Sequence, residues 1–208
     1  VAPQSMKQIN IINERSNEYF KSPGSVKQCI KAKREGRTST HYIDFDNITI
    51  DPYQTEDIVY LYSYYINEIV KQNSVDFLVF IDKADGGTVG AIKISGAISM
   101  QTKIPTTILR MGKERPSEKL KLPYENSYRN GLKYILITDH VSGGQEVLNA
   151  IKAIKENGGI VTDVVTYTSE DTLNVKNIED IGVHFHTIKM IPLDLNRVGI
   201  SISKAITA

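Results

Sequence analysis

The residues best suited to chemistry cluster in Thr138-Asp139-His140-Val141-Ser142-Gly143-Gly144, between the apolar run Tyr134-Ile-Leu-Ile and the stretch Gln145 to Glu156. An acid, a hydroxyl, two glycines and then a helix start are what a phosphate cradle requires. Glycines let successive backbone N–H groups converge on an anion, and the helix N-terminus adds a favourable dipole. Ser142 can donate one more hydrogen bond. Asp139 repels phosphate, so it suits ribose hydroxyls or the water shell of a Mg²⁺ ion. Spacing alone fits equally well a glycine-containing turn that merely joins strand to helix. The loop matches neither G-x-x-x-x-G-K-[ST] nor G-x-G-x-x-G, which argues against a P-loop nucleotidase and a dinucleotide site.

Other candidates carry weaker signals. His184-x-His186 has the spacing of a metal pair on one strand face, but no cysteine or acid cluster accompanies it. Tyr60, Tyr62, Tyr64 and Tyr65 could stack bases, yet on a helix they fit core and subunit-interface positions better. Lys27, Lys31, Lys33, Arg34 and Arg37 form a basic cluster that reads as a solvated face. Lys+Arg 25 against Asp+Glu 24 leaves a formal net charge of +1, so no global field favours nucleic acid or an anionic membrane. Any anion site must be built locally. The single cysteine, Cys29, excludes an internal disulfide and fits a reducing compartment. No apolar run approaches the roughly 20 residues that span a bilayer. The first residues show no charged region leading into an apolar stretch, so a signal peptide is not expected and a cytoplasmic location is.

The elements that would position the loop follow from periodicity. Val75 to Ile81, Pro105 to Arg110, Tyr134 to Thr138, Ile160 to Tyr167 and His186 to Ile191 read as strands. Thr88 to Met100, with Gly90, Ala91, Ser95, Gly96 and Ala97, reads as a helix built for close packing. Gln145 to Glu156 carries Val147, Leu148, Ile151 and Ile154 on one face, and Gly158-Gly159 stops it. Thr55 to Lys71 reads as another helix, with Thr55 as N-cap, Glu56 and Asp57 at the positive end of its dipole, and Ile58, Leu61, Tyr62, Tyr65 and Ile69 as its stripe. Met111 to Asn130 is the one long loop, polar and basic. Apolar strands alternating with helices predict a mainly parallel, open five-stranded α/β sheet with helices on both faces. Residues 1–50 are expected to form a small N-terminal hood and residues 51–208 the core of a single compact domain.

Taken together, these segments resemble the type I phosphoribosyltransferases. Tyr134-Ile-Leu-Ile-Thr-Asp-His-Val-Ser142-Gly-Gly144 is similar to that family's ribose-phosphate signature. Phe80-Ile-Asp-Lys-Ala-Asp-Gly86-Gly87 sits where the family has its pyrophosphate loop. Ile104-Pro-Thr-Thr-Ile-Leu-Arg110 looks like the strand that precedes the mobile catalytic loop. Lys33-Arg-Glu-Gly36-Arg37-Thr-Ser39-Thr-His-Tyr42-Ile-Asp44 is similar to the N-terminal signature of the orotate branch. The matches occur in the family's order.

The resemblance implies transfer of a phosphoribosyl group from phosphoribosyl pyrophosphate (PRPP) to a nitrogen of a base, with release of pyrophosphate and with Mg²⁺ bound alongside PRPP. It implies that Thr138, Asp139, Ser142, Gly143 and Gly144 hold ribose and 5′-phosphate. Lys83, Gly86, Gly87 and Arg110 would line pyrophosphate. Asp139, Arg110, and Lys113 or Arg115 would be catalytic, and Arg34, Ser169 and Glu170 would border the base. A homodimer is implied as well. The pattern also breaks. Thr138 stands where the family has the first of two acids, Met111 where the orotate branch commonly has a lysine, and Glu170 near the usual base-holding arginine. His140 fills a position the family gives to an apolar residue, which suits packing under the loop. The alternative implied by these departures is a catalytically weak or inactive module that binds PRPP or a nucleotide for regulation.

Overall fold

The computed structural model describes residues 6–21, 23–28, 41–83, 90–111, 130–141, 144–170 and 173–191. In chain order the elements are α1 (Met6–Arg15), a 3-10 helix (Ser16–Lys21), β1 (Val26–Gln28), β2 (His41–Ile43), α2 (Phe45–Ile48), α3 (Pro52–Gln72), β3 (Phe77–Lys83), α4 (Gly90–Lys93), α5 (Ser95–Thr102), β4 (Thr106–Met111), β5 (Lys133–Val141), α6 (Gln145–Glu156), β6 (Ile160–Glu170), α7 (Leu173–Glu179) and β7 (His184–Ile191). β1 and β2 form an antiparallel pair. The other strands form one five-stranded sheet in the order β4-β3-β5-β6-β7, and every pairing in it is parallel.

The expected open parallel sheet is therefore present, and its strands read as continuous apolar runs because both faces are covered. Leu78, Phe80, Ile135, Ile137, Val165 and Tyr167 belong to one core with α3, α4, α5 and the N-terminal segment. Val79, Ile81, Tyr134, Leu136 and Val164 alternate with them into a second core against α6 and α7. This period of two assigns each strand residue to a layer. No helix among the described residues is long and apolar enough to cross a membrane.

Several boundaries differ from the sequence expectation, each for a local reason. α3 starts at Pro52, and Asp51 is its cap, accepting from the Tyr53 and Gln54 amides at 2.8 and 3.1 Å. Proline needs no N–H partner at the first helical position, so the helix begins earlier than Thr55. The Thr55 hydroxyl instead donates to the Asp51 and Thr49 carbonyls. Asp57 does not serve the helix dipole. It is buried and takes a bidentate pair from Arg15 together with the Tyr19 hydroxyl, which ties the N-terminal segment to α3. The expected helix over 88–100 is two short helices, α4 and α5. The first 48 residues hold more regular structure than their polarity suggests. Ile9, Ile12, Tyr19, Phe20, Val26, Ile43, Phe45 and Ile48 all enter the first core.

A second tie fastens the N-terminal segment to β7. Lys189 is 8% exposed, and its ammonium donates to the Asn13 carbonyl and to Asn17 Oδ1. Burial with no carboxylate partner in this pair of bonds holds its pKa down to about 8, from 10.5. Between those values the unfolded chain binds a proton that the folded chain does not, so stability rises with pH across that window. Lys189→Met is expected to remove up to about 3 kcal/mol of that rise. Urea midpoints for wild type and variant at pH 7.5 and 10 measure it.

Candidate functional site

The site is set by where two strands part. After β3 the chain crosses to β4 on one side, then returns to place β5 on the other side of β3. The connection changes direction there, and ligands of open α/β sheets bind at the carboxyl ends of the strands flanking such a point. β3 pairs with β5 only from Phe77↔Tyr134 to Phe80↔Ile137. Beyond that, β3 continues beside β4 to Lys83↔Met111, and β5 continues beside β6 to Val141↔Ser169. From Thr138 onward the two strands no longer pair with each other.

Thr138 to Val141 are thus strand residues and not part of the loop the sequence suggested. Their backbone is held by β6, which makes this end of the candidate site rigid. Thr138 and Asp139 are 4% and 6% exposed. The Asp139 Oδ1 accepts from the His140 amide at 2.8 Å and lies 3.4 Å from the Thr138 hydroxyl. Its other oxygen faces the start of α4, where a Cβ added to Gly90 would stand 2.7 Å from Asp139 Oδ2 and 2.6 Å from Phe45 Cδ1. Gly90 is therefore required for close approach rather than for a turn. The His140 side chain is partly buried, and its ring meets the Thr168 hydroxyl at 2.8 Å.

From the opposite layer, Tyr62 of α3 donates its hydroxyl to the Thr138 carbonyl at 2.7 Å. Burial, reinforced by the charge of Asp139, pushes the Tyr62 hydroxyl well above its usual value, so it remains a donor. At the far end of the turn, Gly144 takes φ 66° and leads into α6. Its carbonyl accepts the Leu148 amide at 2.9 Å.

Of the residues singled out from sequence, Thr138, Asp139 and Gly144 lie on or just beyond β5. Arg110 lies in β4 beside Asp82, Lys83 ends β3, and Ser169 and Glu170 end β6. All of these positions share the carboxyl edge of the sheet. Ser169 is fully buried next to Val141. Arg34, Gly86, Gly87, Lys113, Arg115, Ser142 and Gly143 lie outside the described residues, as does most of the long basic loop. Among the described residues no group of three or more histidines, cysteines or acids is arranged to hold a metal. His186 is instead bonded to the buried Asp163 at 2.8 Å. Burial works to raise that carboxyl's pKa, but the His186 bond and nearby polar groups hold it below the ordinary value. Tyr62 and Gly90 were visible in the sequence only as part of an aromatic cluster and a small-residue run. Neither pattern signalled contact with the strand end.

A doubly wound parallel sheet with helices on both faces defines the class: an open α/β domain. Comparison with known proteins then fixes the family. No family model matches the chain. The chain is 30% identical over 149 residues to the orotate phosphoribosyltransferase of Methanocaldococcus jannaschii, covering 69% of this chain and 77% of that protein. It is 25% identical over 177 residues to that of Pyrococcus horikoshii, covering 83% and 90%. In structure it resembles orotate phosphoribosyltransferase from Aeropyrum pernix, with TM-score 0.65, 15% identity and coverage of 93% and 98%. It also resembles adenine phosphoribosyltransferase from Saccharomyces cerevisiae, with TM-score 0.61, 13% identity and coverage of 85% and 99%. The chain belongs to the type I phosphoribosyltransferase family, on its orotate phosphoribosyltransferase-like branch.

Proposed function

We propose that this protein transfers a phosphoribosyl group from PRPP to a ring nitrogen of a base, with orotate the first candidate acceptor. The observation that carries the reading is the parted strand end: buried Asp139 just beyond the last β3–β5 pair, followed by Gly144 and the start of α6. In this reading the base nitrogen attacks C1′ of the ribose while the C1′–O bond to pyrophosphate breaks, and the electron pair leaves on pyrophosphate. Asp139 orients the ribose hydroxyls and faces the positive charge that develops on the ring. The turn through Ser142, Gly143 and Gly144, with the N-terminus of α6, holds the 5′-phosphate. Lys83 and Arg110, with Lys113 or Arg115, stabilise the departing charge.

One carboxylate at the strand end fits Mg²⁺ held mainly by PRPP oxygens, with Asp139 touching its water shell. When bound, the ion neutralises charge on pyrophosphate. The chain's own residues do the positioning, and a homodimer belongs to the same reading. Tyr60, Tyr64 and Tyr65 of α3, each partly exposed, are candidates for its interface.

One observation favours a second reading. Thr138 brings no charge where a second acid would strengthen the grip on ribose or metal, which suits a module that binds PRPP without turning it over. The test is pyrophosphate release from PRPP and Mg²⁺ with orotate, uracil, adenine, guanine and hypoxanthine in turn. Release that requires one of these bases supports transfer. Saturable PRPP binding with no release under any base supports the binding module instead.

A further inference from the structure

We infer that Tyr62 is a positioning residue for the ribose-phosphate site, its hydroxyl holding the Thr138 carbonyl where the β5–β6 ladder skips a pair. This rests on the site assignment proposed above. Carbonyls along β5 alternate between its neighbours: that of Lys133 accepts from Asp76 on the β3 side and that of Leu132 from Ile160 on the β6 side, so the Thr138 carbonyl turns toward β6, where the register skips from Thr138↔Thr166 to His140↔Thr168. An unpaired carbonyl buried at the centre of a sheet costs on the order of a lost hydrogen bond. The Tyr62 hydroxyl takes it, reaching from α3 across 76 residues of sequence.

Tyr62 is itself fully buried, with its ring 6.2 Å from that of Tyr167, so the hydroxyl has little freedom to move. The peptide it grips is the one that joins Thr138 to Asp139. Fixing that peptide fixes the direction in which the Asp139 carboxylate leaves the backbone, while its Oδ2 lies against Gly90. Tyr62 thus acts on ligand through Asp139 and touches no ligand itself.

Tyr62→Phe keeps the ring and removes only the grip. Its effect is read as the Kd for ribose 5-phosphate by calorimetry, next to the melting temperature, with Tyr65→Phe as control. The expected result is a cooperatively folded Tyr62→Phe that binds about tenfold more weakly than wild type, with kcat for PRPP turnover lowered more than KM changes. A purely structural role would lower the melting temperature and leave Kd unchanged, and that result overturns the inference. If the variant melts below the assay temperature, the comparison is made for both proteins in trimethylamine N-oxide, which favours the folded state. A wild type that binds neither ribose 5-phosphate nor PRPP overturns the site assignment, and the positioning role falls with it. Equal binding by wild type and variant overturns the positioning role alone.

Discussion

Asp139→Asn is expected to lower kcat/KM for PRPP by about 10²- to 10³-fold while leaving the fold intact. The substitution keeps size and shape, and its side-chain oxygen can still accept the His140 amide that Asp139 Oδ1 accepts at 2.8 Å. What it removes is the negative charge. That charge sits at 6% exposure on a strand end fixed by β6, so little water screens it. It matters most when ribose carries positive charge, which is why the loss should fall on turnover more than on ground-state binding. Steady-state pyrophosphate release and a thermal melt, run side by side, separate the two. A folded variant with wild-type kcat/KM would remove Asp139 from the chemistry.

Gly90→Ala is expected to damage both stability and ligand binding. The new Cβ would stand 2.6 Å from Phe45 Cδ1 and 2.7 Å from Asp139 Oδ2, distances that force one neighbour to move. Phe45 is fully buried and part of the first core, so its ring has nowhere cheap to go. Overpacking of this kind costs about 1–3 kcal/mol, which for a chain of this size lowers the melting temperature by roughly 3–10 °C. If the carboxylate yields instead, affinity for ribose 5-phosphate falls with it. Gly96→Ala is the internal control. Nothing lies within 4 Å of its added Cβ, and the residue sits in α5, so its melting temperature should stay at or above wild type. Equal melting temperatures and equal ligand affinity for Gly90→Ala and Gly96→Ala would mean that the close approach at Gly90 does not constrain the site.

The sheet was legible because its strands are buried on both faces and so stand out as unbroken apolar runs, as in Phe77 to Ile81 and Tyr134 to Ile137. α6 was legible to the residue, its stripe bounded by Gly144 and Asn157-Gly158. α1 and α7 were not. α1 buries little beyond Ile9 and Ile12 among polar residues, and α7 spans only seven residues, too short for a period to emerge. The end of β5 is hidden in the sequence because Thr138, Asp139 and His140 are polar, and alternation alone does not show that β6 still pairs with Thr138 and His140. Asp57 and Asp139 illustrate the remaining limit. Both are buried acids, but one takes Arg15 and Tyr19 from the N-terminal segment, and the other takes the His140 amide and lies against Gly90. Which acid ties the N-terminal segment to α3 and which stands at the strand end depends on contacts between residues far apart in the chain, and no local pattern carries that information.

In the proposed function the parted ends of β3 and β5 hold ribose and its 5′-phosphate. Amide chemical-shift mapping on the full chain, titrated with ribose 5-phosphate, tests it most directly. The largest saturable shifts are expected at Thr138 to Gly144 and in the first turn of α6, with further shifts near Asp82 and Lys83. Saturable shifts concentrated instead on the apolar groove of Leu148, Ile151 and Ile181, or elsewhere away from the carboxyl edge of the sheet, would contradict it.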